Sequence, residues 1–137
     1  MSDSIKHECG IALLRLLKPL SYYNDKYGTP LYGLNKMYLL MQKQVNRGQD
    51  GAGIVNIKLN TKPGHPYISR RRSVDNNAIQ DLFLQIGSNF KKIQTLYPTK
   101  SKNPDWLKAN CSFMGELFLG HLRYGTYGKN SIAQCHP

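Results

Sequence analysis

Hydrophobic positions along this chain change their period several times, and each change marks an element. Residues 9–17 (CGIALLRLL) are a continuous apolar run broken only by Arg15, which predicts a buried strand, although period alone leaves a helix open. Residues 18–32 place Pro19, Gly28 and Pro30 among tyrosines and charges and read as a loop. Leu34, Met37, Tyr38, Met41 and Val45 then recur at the three-and-four spacing of an amphipathic helix, with Gly48 where a C-terminal cap is expected. After a glycine-rich turn at 49–53 (QDGAG), residues 54–59 predict a strand. Pro63, Gly64 and Pro66 mark another turn. Ile79, Leu82, Phe83, Ile86 and Phe90 give a second helix over 78–90, with Asp75 or Asn76 available as its N-cap. Residues 91–110 are polar and basic, carry Pro98 and Pro104, and predict an exposed connection. Residues 113–124 (FMGELFLGHLRY) return to apolar character as one or two short strands. The order strand, helix, strand, helix, strand predicts a mixed α/β (α+β) layered fold.

Composition narrows the classes. The chain has 137 residues, enough for one modest domain, and 40% of them are hydrophobic, so a packed core is within reach. A leader at 1–8 (MSDSIKHE) is polar, and the apolar run behind it is too short to span a bilayer. Asp3, Glu8 and Arg15 also fit a secretory signal poorly, so a cytoplasmic location is expected, with no membrane partner. Three cysteines, Cys9, Cys111 and Cys135, form no C-x-x-C pair, which argues against a disulfide framework and a structural zinc site. The formal net charge of +11 points to an anionic partner. Arg70, Arg71, Arg72 and the lysines of 91–108 supply much of it, but no nucleic-acid-binding signature accompanies them. A basic nucleic-acid-binding module is therefore the remote alternative, and no nucleic acid is expected as partner.

Two stretches are not explained by core packing. One is Arg47-Gly48-Gln49-Asp50-Gly51-Ala52-Gly53, where three glycines allow a tight turn and a close approach. It lacks the Gly-Lys-Ser/Thr ending of a phosphate loop, and a helix cap plus turn is the simpler reading. The other is residues 120–128 (GHLRYGTYG), in which a strand ends in a glycine-punctuated loop presenting Arg123 and Thr126. A guanidinium matches a carboxylate bidentately, and a threonine adds a hydroxyl. Cys9 is a third candidate, although a free cysteine is usually a buried small hydrophobe and no histidine is evidently paired with it.

Taken together, a polar leader ending at Cys-Gly-Ile, the Arg-Gly-Gln-Asp-Gly-Ala-Gly stretch about forty residues on, and Gly-His-Leu-Arg-Tyr-Gly-Thr-x-Gly resemble the class II glutamine amidotransferases, which are N-terminal-nucleophile hydrolases. Within that group the pattern is most similar to the amidophosphoribosyltransferases of purine biosynthesis. The resemblance implies a layered sheet-and-helix fold, incomplete in this chain. Residues 1–8 would be a propeptide and residues 9–137 the N-terminal part of a type-2 glutamine amidotransferase domain. The remainder of that domain, with its Asn-Gly oxyanion pair, and a phosphoribosyltransferase domain would lie beyond Pro137.

By the same resemblance Cys9, freed as the mature N-terminus, is the catalytic nucleophile. It attacks the side-chain amide of glutamine, releases ammonia and leaves a thioester that water hydrolyses. Its own α-amino group, with an ordinary pKa of about 7.7–8.0, is the base. Arg123 binds the substrate carboxylate with help from Thr126, and Arg47 and Gly48 shape the pocket. His121 and Tyr124 are expected to be structural, and Cys111 and Cys135 to be ordinary thiols. No cofactor or metal is expected in this segment; Mg2+ and phosphoribosyl pyrophosphate are implied for the transferase domain, and a homo-oligomer for the intact enzyme. Because each missing oxyanion donor costs about 10²–10³ in rate, this segment alone is expected to be inactive. The alternative is the glutaminase portion of another class II enzyme, such as a glucosamine-6-phosphate synthase, an asparagine synthetase or a glutamate synthase. A degenerate chain with a structural role is a further possibility. Gly125 and Tyr127 depart from the commoner family residues in the Arg-Tyr-x-Thr loop.

Overall fold

A computed structural model describes residues 8–46, 50–125 and 130–137. Four strands, β1 (Gly10–Arg15), β2 (Gly51–Ile57), β3 (Ile68–Ser73) and β4 (Leu117–Arg123), form one sheet in the order β1-β4-β2-β3. Every neighbouring pair is antiparallel. The helices are α1 (Leu20–Tyr27), α2 (Tyr32–Lys43), α3 (Ala78–Leu96) and α4 (Pro104–Asn110). This is a mixed α and β fold, as the order of elements predicts, and its sheet is wholly antiparallel.

The core lies between one sheet face and the helices. Ala12, Ala52, Ile54, Phe118 and Leu122 point from the strands toward Leu34, Met37 and Met41 of α2 and Ile79, Leu82 and Ile86 of α3, and all are buried. The buried positions of both helices recur at three-and-four spacing, which is why their sequence pattern was readable. Gly120 permits the close fit of α2. A Cβ there would sit 2.8 Å from Met41 Sδ and 3.0 Å from Met37 Cε. Burying side chains of this size typically contributes about 1.5–3 kcal/mol each.

The opposite face is barely covered. Ile11 is 64% and Leu13 66% exposed, so the apolar run of 9–17 is a strand with one buried face, not two. Residues 132–137 begin to cross that face over β2. A Cβ on Gly53 would collide with the His136 carbonyl oxygen, so only glycine lets the segment lie this close.

Three expectations need correction, and one strand has no counterpart among them. The supposed loop of 18–32 contains α1, closed by Gly28 at φ 73° and packed through stacked Tyr23, Tyr27 and Tyr32 rings. β3 lies in the basic ISRRRS segment, whose charges hide any alternation; pairing with β2 makes it a strand. The connection of 91–110 is mostly helical. The second helix runs on to Leu96, and α4 is capped by Asn103, whose Oδ1 accepts from the Asp105 and Trp106 N–H groups. Leu107 anchors α4, fully buried. Lastly, the N-cap of α3 is Asn77, without a side-chain cap bond, rather than Asp75 or Asn76. The cap expected at Gly48 lies outside the described residues.

Candidate functional site

Antiparallel pairing brings the start of β1, the end of β4 and the start of β2 to one end of the sheet. Gly10 pairs with Leu122 and Gly51 with Arg123, so Cys9, Asp50 and residues 123–125 converge there. Cys9 is thereby joined to Tyr124, a residue expected to be structural, across more than a hundred positions of sequence. The Tyr124 N–H points at Cys9 Sγ at 3.4 Å, and the thiol lies 3.9 Å from the Tyr124 carbonyl oxygen. Cys9 is exposed, unlike Cys111 and Cys135, which are buried.

Asp50 closes the loop. Its N–H donates to the Arg123 carbonyl at 3.0 Å, and its Oδ2 accepts the Gly125 N–H at 2.6 Å. Sequence reasoning passed over Asp50 as part of a glycine turn, although a carboxylate there can satisfy backbone donors of the facing loop.

Arg123 leaves the sheet on the sparsely covered face and is only 5% exposed. Its Nη1 donates to Asn130 Oδ1 at 3.1 Å and its Nη2 to Gln134 Oε1 at 2.8 Å. Two amide oxygens thus occupy the guanidinium at the distances a carboxylate would take. Neither Asn130 nor Gln134 stood out in the sequence, because the segment has no periodic pattern. Beside them, Arg72 donates to the Cys135 carbonyl, and the His121 ring meets His136 edge to face. Burial lowers the His121 pKa, and His136 and Arg123 lower it further. Burial raises the Cys135 thiol, opposed by Arg123 and Arg72. A thiol held up in this way is a poor nucleophile, so the exposed Cys9 is the better candidate.

On the helix side of the same sheet end a cavity of about 350 Å³ is lined by Gln42, Val45, Gly51, Ala52, Asn77 and Ile79. Neither Cys9 nor Arg123 lines it. The remaining predicted residues, Arg47, Gly48 and Thr126, lie outside the described residues, as does the leader up to His7. Among the described residues no group of three or more His, Cys, Asp or Glu is placed to hold a metal ion, and no helix is long and apolar enough to cross a membrane.

Compared with known proteins, the chain matches no protein-family model, no curated protein and no solved structure.

Proposed function

We propose that this chain is the glutaminase portion of a class II glutamine amidotransferase, of the amidophosphoribosyltransferase kind, with Cys9 as nucleophile. The observation that supports it best is the approach of the Tyr124 N–H to Cys9 Sγ at 3.4 Å, with Arg123 next in sequence. A nucleophile and a carboxylate-binding cation then stand at one end of one sheet. In this reading, removal of residues 1–8 frees the Cys9 α-amine, whose proton affinity suits a base near neutral pH. The thiol passes its proton to that amine and its sulfur attacks the amide carbon of glutamine. The α-ammonium returns that proton to the amide nitrogen, the C–N bond breaks and ammonia leaves, and water later cleaves the thioester to glutamate and the free thiol. The Tyr124 N–H, already directed at sulfur, holds the Cys9 side chain at this end of the sheet.

Arg123 would receive the α-carboxylate by exchanging the Asn130 and Gln134 amide oxygens for carboxylate oxygens, a stronger acceptor pair. In the intact enzyme, which would form a homo-oligomer in the cytoplasm, the ammonia would pass to phosphoribosyl pyrophosphate on a Mg2+-dependent domain. The second reading keeps the same glutaminase chemistry and changes only the acceptor.

The test is labelling with a glutamine analogue carrying a diazoketone. A chain beginning at Cys9 should be alkylated at that sulfur, and glutamine should protect it. A chain retaining residues 1–8 should react far more slowly. Equal labelling of both chains, or no protection by glutamine, would overturn the proposal.

A further inference from the structure

Residues 130–137 lie on the sparsely covered face of the sheet and are held there by cations. Arg123 donates to Asn130 Oδ1 and Gln134 Oε1, and Arg72 donates to the Cys135 carbonyl at 3.1 Å. The Cys135 thiol turns in toward the Ser73 carbonyl and is 1% exposed. His121, Gly53 and Arg72 stand opposite one another in a row across β4, β2 and β3. Glycine leaves the middle of that row bare, and the His136 carbonyl lies directly on it. The His136 ring meets His121 edge to face, with centroids 5.4 Å apart.

His121 therefore sits among cations. Ile11 of β1 and Gly53 of β2 flank it without charge, His136 packs on it, and Arg72 ends its row. Arg123, two residues on along β4, shares its face. The segment brings neutral oxygens to the two arginines, and residues 130–137 (NSIAQCHP) contain no Asp or Glu to balance a further charge. Burial pushes the Cys135 thiol up, so it supplies no thiolate. His121 Nδ1 is buried and has no hydrogen-bond partner among the described residues. A neutral imidazole tolerates this by leaving Nδ1 unprotonated. An imidazolium carries a proton on both nitrogens, and one N–H would then be buried without an acceptor. Burial, then His136 and Arg123, accordingly lower the His121 pKa.

We propose that residues 130–137 form an acid-released strap: proton uptake by His121 lifts the segment from the sheet and uncovers the Arg123 guanidinium. Opening gives the imidazolium water as an acceptor and takes His136 away, so acid favours the opened form. Between the ordinary histidine value of about 6.5 and the lowered one, the ratio of opened to closed chain grows about tenfold per pH unit. The release is a property of the strap and does not depend on what Arg123 binds.

The three cysteines report it. The full-length chain is treated with dithiodipyridine, which reacts with thiols in mild acid, and modification of each cysteine is timed by mass spectrometry from neutral pH to about pH 5. Exposed Cys9 corrects for the thiolate lost with acid, and buried Cys111 reports global unfolding. The reactivity of Cys135 relative to Cys9 should rise by up to about tenfold per pH unit below about pH 6.5, while Cys111 stays protected. His121→Gln should keep Cys135 protected throughout. His136→Gln, which removes one facing cation, should shrink the rise. A flat Cys135 ratio overturns the strap. Cys111 rising in step with Cys135 overturns it too, because the event is then unfolding of the whole chain. An undiminished rise in both variants overturns His121 as the trigger.

Discussion

Asp50 holds Gly125: its Oδ2 accepts the Gly125 N–H at 2.6 Å while its own N–H donates to the Arg123 carbonyl at 3.0 Å. The start of β2 and the loop after β4 are thus tied by a charged acceptor, one residue beyond the N–H that faces Cys9. Asp50→Ala removes the side-chain half of this tie and leaves the backbone half. A charge-assisted bond at a partly exposed position contributes about 1 kcal/mol. The variant should melt a few degrees lower, and Cys9 in the chain beginning at that residue should alkylate more slowly with the diazoketone analogue. Asp50→Asn keeps an acceptor and should fall between the two. Calorimetry and a labelling time course measure both; a variant with unchanged labelling would separate Asp50 from the site.

Acid should destabilise the protein in two steps. His121 has a folded pKa pushed down by burial, then by His136 and Arg123, so the fold prefers its neutral form. The unfolded chain binds that proton more readily, so this stability is full above about pH 6.5 and is lost as pH falls through the depressed folded value. Asp81 is held below the usual carboxylate range by the Ser73 hydroxyl, then by the Gln85 amide. Its contribution is full above about pH 4 and is lost below that. Urea midpoints taken from neutral to acid pH should show both losses. His121→Gln should flatten the upper one and Asp81→Asn the lower. If either variant leaves its own step intact, the assignment of that step is wrong.

How much could be read in advance depends on whether an element announces itself by its own side chains. α2 and α3 do, since Leu34, Met37 and Met41, and Ile79, Leu82, Ile86 and Phe90, repeat along one face. β3 does not. Its three successive arginines split between faces, Arg71 turning in to Gln85 and Arg72 turning out to the Cys135 carbonyl, and only the partner strand supplies its structure. α1 hid behind tyrosines, whose stacking is a tertiary effect. Half of α4 was legible in Asn103-Pro104-Asp105, a cap followed by proline at the first helical position, and its basic surroundings obscured it. For the site, motif order pointed to Cys9 and Arg123, but Asp50, Asn130 and Gln134 act through contacts far apart in sequence that no local pattern encodes.

Gln134 offers the sharpest test of what Arg123 is for. Its Oε1 accepts from Arg123 Nη2 at 2.8 Å, so Gln134→Glu places a carboxylate oxygen on the guanidinium with no change in side-chain length. The new ion pair joins an arginine that is 5% exposed to a glutamate at an exposed position, which limits the gain to about 1 kcal/mol. The melting temperature should rise by a few degrees. If Arg123 receives the glutamine carboxylate, the same substitution installs a tethered competitor. Protection of Cys9 by glutamine against the diazoketone should then need roughly fivefold more glutamine, the factor that corresponds to about 1 kcal/mol of competing interaction. Gln134→Ala should move protection the other way, because it removes one acceptor that competes for Arg123. Should both variants change stability and leave glutamine protection where it was, Arg123 anchors the 130–137 segment and binds no substrate.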